Sequence, residues 1–254
     1  MSVAIITGAS SGIGAAVAVE FHRRGWKVGL IARRDDLLKE HVEAMGEGAA
    51  YATADVADEK GLTDAILKLE SELGPCDLMF ANAGIGDGRS ARHFTSANTL
   101  KIMNVNCAGV IHAFAAVLPG MLKRGTGTLS ATSSVAGFRG LPNFGPYSAS
   151  KSYVTSLLES MRIDLRPHGV GVTTVHPGFV VSELTSRNAF DMPFLVQTDK
   201  AARIIVKGLL KGKSEVNFPW QMICLMKFVR WVPNWLYDRV IAIASPTTPK
   251  KEAE

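Results

Sequence analysis

The chain has 254 residues, of which 47% are hydrophobic and 20% are charged, and its formal net charge is +5. This composition supports a substantial core and excludes intrinsic disorder, and the length suits one large α/β domain or two small ones. The cations are scattered without a run of five, so the charge suits an anionic small ligand and argues only weakly for a membrane surface or nucleic acid, and we predict no nucleic-acid partner.

Short β-rich runs alternate with helical stretches along the first 218 residues. The predicted strands are residues 2–7, 27–32, 49–54, 76–82, 127–134, 171–176 and 215–218, and the predicted helices are residues 14–25, 37–45, 60–73, 96–122, 147–166 and 200–211. Near-continuous apolar strands separated by helices indicate a parallel sheet covered on both faces. The predicted fold is therefore a Rossmann-type, doubly wound α/β domain of about seven strands, with its ligands beyond the carboxyl ends of the strands.

The sequence TGASSGIG follows the first strand directly and opens the first helix. Its glycines would let the backbone approach a pyrophosphate, and the helix N-terminus would point N–H groups at the phosphates. A glycine cluster alone is weak evidence, but this strand-to-helix context favours a dinucleotide site. The candidate cofactor-binding residues of the turn are Gly8, Ser10, Ser11, Gly12, Ile13 and Gly14.

Arg33 and Arg34 follow the second strand, where a dinucleotide site senses the adenosine ribose. An acidic residue there favours the free 2′-hydroxyl of NAD, whereas a cation favours the 2′-phosphate of NADP. Because arginine binds phosphate with charge-assisted, often paired hydrogen bonds, we predict NADP(H) as the cofactor, with NAD(H) less favoured. Arg33 is the preferred contact of the two. The alternative is that both arginines form a solvated helix entry.

Tyr147 and Lys151 stand four residues apart in PYSASK, so on a helix they share one face. The pair alone fits either a helix surface or an acid–base pair with room for a ligand. A cation about 4 Å away is worth about 4 kcal/mol at an effective dielectric constant near 20. Roughly 3.4 kcal/mol lowers the pKa of a phenol by about 2.5 units. The attraction of Lys151 is therefore strong enough to lower the pKa of Tyr147 until the phenol works as an acid–base group near neutral pH.

An ordered set of motifs resembles the short-chain dehydrogenase/reductase family over roughly residues 3–218. TGASSGIG resembles its TGxxxGxG, ADV its adenine-contacting acidic position, ANAG its NNAG, NVN the segment ending on its catalytic asparagine, and HPGFV its PG turn. Ser133 and Ser134 precede YSASK. Each piece alone would occur by chance, whereas the ordered set is highly specific. The chain departs from the pattern at Ala81, where asparagine is usual, and at Ser182, where threonine is usual.

The resemblance implies four catalytic residues. Tyr147 would exchange a proton with the substrate oxygen, and Lys151 would tune Tyr147 and hold the nicotinamide ribose. Ser134 would donate a second hydrogen bond to the substrate oxygen, and Asn106 would anchor a proton-relay water. Tyr147 and Lys151 would also contact the cofactor, and further contacts are implied for Asp55, Val56, Asn82, Ala83, Gly84, Pro177, Gly178, Val180 and Ser182.

The resemblance further implies an NADP(H)-dependent oxidoreductase that works as a homodimer or homotetramer. Apolar residues in the two expected substrate loops, residues 135–144 and 181–198, suggest an apolar carbonyl or secondary alcohol substrate, although they could equally pack a lid. These residues are Phe138, Leu141, Phe144, Phe190, Met192, Pro193, Phe194 and Leu195. The alternatives are an NAD-dependent alcohol dehydrogenase of the same family and a non-catalytic nucleotide sensor, which would not need all four catalytic residues.

Residues 219–254 form an apolar C-terminal extension, which we assign to the same domain as the catalytic residues 1–218. Pro233 splits it, and Asn234 is placed to begin a second helix. Three interpretations stay open, of which the first is favoured: a helix over the substrate pocket or in a subunit interface, an in-plane membrane contact, and a plain core helix. Residues 245–254 are expected to fray.

No signal peptide and no run of about 20 apolar residues is visible, so we expect no spanning helix. The three cysteines, Cys76, Cys107 and Cys224, have neither CxxC nor metal-ligand spacing. We therefore expect buried free thiols in a reducing compartment and no metal site. These features predict a cytoplasmic protein, with membrane association through the C-terminal extension left open.

Overall fold

Seven parallel strands form a single sheet in the computed structural model, which describes residues 1–88, 90–183, 185–186 and 191–244. The strands are β1 (Val3–Thr7), β2 (Lys27–Ala32), β3 (Ala49–Thr53), β4 (Leu78–Ala81), β5 (Gly127–Thr132), β6 (Val170–Pro177) and β7 (Glu215–Phe218). The helices are α1 (Gly12–Arg23), α2 (Asp35–Met45), α3 (Glu59–Leu73), α4 (Ser96–Met103), α5 (Gly109–Arg124), α6 (Gly145–Leu165), α7 (Thr198–Leu210), α8 (Trp220–Trp231) and α9 (Asn234–Ala244). The strand order β3-β2-β1-β4-β5-β6-β7 confirms the predicted doubly wound fold.

Helices cover both faces of the sheet because the strands are apolar on both sides. On one face α3 and α6 bury Ile66 and Leu158, and on the other α1 and α7 bury Phe21 and Ile205. All four side chains are fully inaccessible to solvent. Burying a side chain of this size stabilises the fold by about 1.5–3 kcal/mol. The two cores therefore hold the strand ends in fixed positions.

β2 and β3 lie on one side of β1 in the sheet, whereas β4 and the later strands lie on the other side, and β1 pairs directly with β4. The crevice between the connections therefore opens above β1 and β4. Open α/β sheets bind ligands in the crevice at the carboxyl ends of such strands. Hydrogen bonds join the loops that follow β1 and β4 at this crevice. The Thr7 hydroxyl accepts the backbone N–H of Asn82 at 3.0 Å, and the Asn82 side-chain amide donates to the Thr7 carbonyl at 3.3 Å.

The helix predicted over residues 96–122 is continuous but not uniform. One π-helical turn, Asn104–Ala108, joins α4 to α5. Such turns recur at functional sites because they interrupt the regular spacing of side chains. This turn carries Asn106, which is almost completely buried.

The same stretch, Ser96–Arg124, is long and apolar enough to cross a membrane by length and composition. The expectation of no spanning helix stays a prediction, because this test uses length and composition alone. About half of the stretch faces the protein interior, because 44% of its most apolar window is buried, including Val110 and Phe114. A core helix of a folded domain has the same composition, so the finding is weak evidence for a membrane span.

Two of the three cysteines are buried, whereas Cys224 is exposed on α8, so the expectation of buried thiols was wrong for Cys224. Burial raises the pKa of Cys107 to about 11 and raises the pKa of Cys76 further. Both buried side chains are therefore neutral thiols at physiological pH.

Candidate active site

The turn between β1 and α1 is shaped for close approach of another group to the backbone. Gly8 and Gly12 have φ angles of +67° and +55° in the left-handed region, which glycine tolerates best. α1 begins at Gly12, and the preceding Ser11 makes no side-chain cap hydrogen bond. The N–H groups of the first helical turn therefore have no partner from Ser11 and point outward from the sheet edge. This arrangement fits the pyrophosphate of a dinucleotide.

Substituting Gly14 by alanine is expected to disrupt this turn. A Cβ atom on Gly14 would overlap the Gly8 carbonyl oxygen, a backbone atom that cannot move without moving β1. We expect Gly14→Ala to weaken NADPH binding by at least about tenfold, since strained contacts of this kind cost about 1–3 kcal/mol. Titration of NADPH by its fluorescence measures this. The control is Gly140→Ala, where a Cβ would meet no atom within 4 Å, and equal dissociation constants for the two variants would contradict the expectation.

Arg34 reaches directly into the glycine turn. Its Nη2 donates to Ser10 Oγ at 3.0 Å and to Ser11 Oγ at 2.7 Å, and its Nη1 pairs with Glu183 at 2.9 Å. The guanidinium of Arg33 is more exposed and lies 3.7 Å from the Asp55 carboxylate. Both arginines thus border the turn, but Arg34 makes the direct contacts, whereas the sequence argument preferred Arg33.

Glu183 is a site residue that sequence reasoning missed. It follows Ser182 in the loop after β6, and its carboxylate accepts two hydrogen bonds from Arg34, at 2.9 and 3.1 Å. A Cβ atom on Gly12 would lie 3.4 Å from the Ser182 side chain. The loop after β6 therefore lies against the glycine turn. No motif marks Glu183, because its partner is 149 residues away in the chain.

Ser134, Tyr147 and Lys151 come together where β5 ends and α6 begins. Ser134 lies two residues beyond the end of β5 and is buried. Pro146 occupies the first turn of α6, where proline is favoured, and places Tyr147 at the start of the helix. Lys151 is buried, and its Nζ donates to the Thr132 carbonyl at 2.7 Å.

The side chain of Asn106, on the π-helical turn, makes three hydrogen bonds to the loop after β4 and to α6. Its Oδ1 accepts the N–H of Ile85 at 2.8 Å, and its Nδ2 donates to the Ile85 carbonyl and to Ser150 Oγ, both at 2.9 Å. A Cβ atom on Gly84 would lie 3.4 Å from both Asn106 Oδ1 and Lys151 Nζ. The loop after β4 therefore passes between these two predicted catalytic side chains.

The pKa values of Tyr147 and Lys151 differ from the expectation. Burial raises the pKa of Tyr147, and a hydrogen bond with Ser134 only partly opposes this. Burial likewise lowers the pKa of Lys151 to about 8. The ammonium lies 5.7 Å from the centre of the Tyr147 ring and is anchored on the Thr132 carbonyl. The predicted lowering of the Tyr147 pKa by Lys151 was therefore wrong for this structure, because desolvation of the phenolate outweighs the attraction.

The remaining predicted cofactor contacts lie along the same edge of the sheet. Val56 and Val180 are buried. The Gly178 N–H donates to the Phe218 carbonyl at 2.7 Å, which ties the loop after β6 to the end of β7. The structure places Asp55, Val56, Asn82, Ala83, Gly84, Pro177, Gly178, Val180 and Ser182 at or just beyond strand ends. Within the described residues, no group of three or more His, Cys, Asp or Glu side chains is arranged to hold a metal ion.

A buried chain of hydrogen bonds links the catalytic helix to β7. Ser133 Oγ donates to the Lys151 carbonyl at 2.8 Å and bonds the Thr155 hydroxyl at 2.8 Å. Thr155 in turn contacts His176 Nε2 at 3.2 Å. His176 Nδ1 donates to Asn217 Oδ1 at 2.9 Å, since an amide oxygen can only accept. This network gives the buried His176 a structural role.

The neutral state of His176 should make the fold sensitive to acid. Burial lowers the pKa of His176 to about 4 from an ordinary 6.5. The unfolded chain therefore binds this proton first, and the stabilisation present above about pH 6.5 is lost as the pH falls toward 4. We expect the free energy of unfolding to fall by about 2 kcal/mol between pH 7 and pH 5 through this group.

Denaturant unfolding of the wild type and of His176→Gln at the two pH values measures that contribution. The variant should show a smaller fall between pH 7 and pH 5, whatever its absolute stability. His168→Gln removes an exposed histidine and serves as the control. Equal falls for the wild type and His176→Gln would contradict the assignment of the acid sensitivity to His176.

A cleft of about 400 Å³ opens beside the start of α6. Its apolar walls include Phe94, Leu141 and Pro146, and its polar groups include His93 and Asn98. The apolar loop residues predicted from sequence lie in several environments, and Phe194 and Leu195 are exposed. Leu141 lines this cleft, whereas Phe138 is buried against α8. Phe190 lies outside the described residues.

The strand order, the glycine turn and the polar cluster after β5 define a nucleotide-binding oxidoreductase fold. A family model described as short chain dehydrogenase matches residues 2–192. An uncharacterized oxidoreductase from Myxococcus xanthus is 40% identical over 92% of this chain and 94% of its own length. The chain belongs to the short-chain dehydrogenase/reductase family.

Two solved structures extend the comparison. The structure of a short-chain dehydrogenase/reductase from Burkholderia phymatum in complex with NAD aligns with 100% of this chain and 98% of its own chain, with a TM-score of 0.83. At 23% identity this similarity is one of fold. An alcohol dehydrogenase from the archaeon Thermococcus sibiricus complexed with 5-hydroxy-NADP covers 83% of this chain and 91% of its own, with a TM-score of 0.75 and 28% identity. The family and fold predicted from the sequence are confirmed.

Proposed function

We propose that the protein is an NADP(H)-dependent oxidoreductase that interconverts an apolar carbonyl compound and its secondary alcohol. The observation that carries this proposal is the convergence of Ser134, Tyr147, Lys151 and Asn106 beside the glycine turn. A protein that only sensed a nucleotide would need the turn but not the buried polar cluster. The likeness to proteins solved with NAD and with 5-hydroxy-NADP supports a nicotinamide cofactor.

The choice of NADP(H) over NAD(H) rests on the end of β2. No acidic side chain stands at the first two positions after the strand, which are Arg33 and Arg34. Arg34 donates to Ser10 and Ser11 and pairs with Glu183. A 2′-phosphate placed there would meet a guanidinium and two hydroxyl groups, and it would take the place of the Glu183 carboxylate on Arg34. Phosphate–arginine bonds are charge-assisted and can be paired, which favours the phosphorylated ribose. Lys151 would hold the nicotinamide ribose at the other end of the site.

The proposed catalytic roles follow from the protonation states of Tyr147 and Lys151. The bound nicotinamide supplies the hydride, and the protein supplies position and electrostatics. Burial raises the pKa of Tyr147, so the phenol is protonated at neutral pH and can donate its proton to a carbonyl oxygen during reduction. With substrate bound, the Ser134 hydroxyl would donate its single proton to the same oxygen in place of Tyr147, and would stabilise the charge that develops there. In the oxidative direction Tyr147 must first lose its own proton, and the alcohol proton then passes to the phenolate.

Lys151 stabilises the negative charge that develops on Tyr147 as the proton leaves. Its carbonyl-anchored ammonium has a pKa of about 8, so its charge is retained at neutral pH and is lost in more alkaline solution. Asn106 binds the backbone of Ile85 and so holds the loop after β4 beside Lys151. A relay water would bind between this loop and Lys151. The substrate's apolar part would occupy the cleft lined by Phe94, Leu141 and Pro146. We propose a homodimer or homotetramer as the working assembly, by analogy with the family.

Oxidation of NADPH by the purified protein, measured against carbonyl compounds of increasing apolar size, tests the proposal. We expect kcat/KM to rise with apolar size, since each buried methylene adds about 0.8 kcal/mol. We also expect NADPH to be oxidised faster than NADH at equal concentrations. Tight NADPH binding without turnover of any carbonyl or alcohol would favour the nucleotide sensor. Equal rates with both cofactors would remove the NADP preference.

A further inference from the structure

The outer face of α8 and α9 is strongly apolar and exposed. The exposed fractions are 70% for Trp220, 70% for Phe228, 87% for Trp231 and 69% for Trp235. Trp220, Phe228 and Trp231 are spaced eight and three residues apart, so they form one stripe along α8. Leu225, Leu236 and Val240 extend this surface, which we call the tail face.

The apolar side chains on the inner side of α8 are already buried within this chain. Met222, Ile223 and Met226 are buried against Val135 and Phe138 in a third, smaller core. The helix is therefore apolar on both sides, and only one side packs within this chain. A helix that is apolar all round is normally buried. The helix has no polar stripe because its inner side is covered by protein and its outer side is apolar as well.

The two tail helices are fixed to the rest of the domain, so the tail face has a defined shape. Arg139 donates to the carbonyls of Val229 and Val232 at the end of α8 and to the side chain of Asn234 at the start of α9. Its guanidinium stacks 4.0 Å over the Tyr237 ring, whose hydroxyl donates to the Gly140 carbonyl at 2.7 Å. The face is therefore presented as a rigid surface beside the loop that joins Ser134 to α6.

We propose that the tail face lies on the surface of an anionic lipid bilayer. The segment 218–244 contains the cations Lys227, Arg230 and Arg239 and a single acidic residue, Asp238. Lys227 pairs with Glu215 at 3.3 Å, so Arg230 and Arg239 supply the excess of cations. A second copy of the chain docked on this face would bring the same excess of cations to the interface, whereas an anionic lipid surface supplies the opposite charge.

Arg239 follows Trp235 by about one turn of α9, whereas Arg230 lies one turn beyond the buried Met226, at the exposed end of α8. Exposed tryptophan and phenylalanine side chains with arginines nearby suit the boundary between headgroups and acyl chains.

Co-sedimentation of the full chain with vesicles tests this proposal without reference to turnover. We expect binding to vesicles of phosphatidylcholine mixed with phosphatidylglycerol, and much weaker binding to phosphatidylcholine alone. Because three of the four tryptophans lie on the tail face, binding should also shift the fluorescence emission to shorter wavelength. Raising the salt concentration should weaken the binding, since it screens the charge attraction.

Two variants separate the apolar and charged contributions. Phe228→Ser combined with Trp231→Ser should reduce binding to anionic vesicles by at least about tenfold, since it removes two aromatic side chains that would enter the lipid. Arg230→Gln combined with Arg239→Gln should reduce it about 30-fold. The control is Ile163→Ser, which removes an equally exposed apolar side chain from α6.

Three results would overturn the proposal. The wild type could fail to bind anionic vesicles, or both double variants could bind as the wild type does. The third is a wild-type dimer, measured by light scattering, that the Phe228 and Trp231 substitutions convert to a monomer while no vesicle binding occurs. That outcome would assign the face to a second copy of the chain.

Discussion

Replacing Tyr147 by phenylalanine is expected to abolish turnover while leaving NADPH binding intact. The substitution removes only the hydroxyl that donates the proton, and a positioned acid of this kind typically contributes about 10²–10⁴-fold in rate. We therefore expect kcat for carbonyl reduction to fall by about that factor. The dissociation constant for NADPH should stay within about twofold, because the ring and Lys151 remain in place. Steady-state kinetics and a fluorescence titration measure the two quantities on one preparation.

Tyr153→Phe is the matched control, since Tyr153 lies on the same helix with its side chain partly exposed. Its kcat should equal that of the wild type. A Tyr147→Phe protein that keeps most of its activity would mean that the proton comes from another group, and the proposed role of Tyr147 would be wrong. A variant that loses both turnover and NADPH binding would instead assign Tyr147 to cofactor binding.

Removing the arginines after β2 is expected to weaken NADPH binding selectively. Hydrogen bonds to charged groups contribute about 1.5–3 kcal/mol, and the Arg34 side chain is 42% exposed, which favours the lower end of that range. We expect Arg34→Ala and Arg33→Ala each to raise the dissociation constant for NADPH by about tenfold, and the double variant to raise it further. The dissociation constant for NADH should change little, because NADH has no 2′-phosphate.

Arg203→Ala, which removes an exposed cation from α7, controls for the change in overall charge. Isothermal titration of each variant with both cofactors gives the comparison directly. Equal losses for NADPH and NADH would show that the arginines support the fold of the turn and do not read the phosphate. A loss with Arg33→Ala alone would favour the preference stated from the sequence over the contacts that Arg34 makes here.

The fold could be predicted from the sequence because its signals are local and repeated. Near-continuous apolar strands such as β1 and β2 alternate with helices, and three glycines mark the turn between the first strand and the first helix. These patterns do not determine the order of the strands, which follows from the Rossmann-type class. The family motifs identified Ser134 just beyond β5 and Tyr147 and Lys151 near the start of α6, where the structure has them. They also identified Asn106 within the long helix, where the structure has the π-helical turn.

The features that were missed depend on contacts between distant parts of the chain. The π-helical turn at Asn106 and the pairing of Arg34 with Glu183 leave no local pattern. The pKa of Tyr147 was predicted in the wrong direction because the sequence gives the spacing to Lys151 but not the degree of burial. The apolar character of the C-terminal extension was visible in the sequence, but the side of α8 that is covered is known only from its packing on Phe138.

The most direct test of the proposed function follows the hydride itself. The purified protein would be incubated with NADPH carrying deuterium at both hydrogens of C4 and with an apolar ketone that the substrate series identifies. The account predicts an alcohol with one deuterium on its carbinol carbon, formed in equal amount to the NADP⁺ produced, and almost no product from Tyr147→Phe. Loss of NADPH without deuterium in an alcohol, or NADPH binding with no alcohol at all, would contradict it.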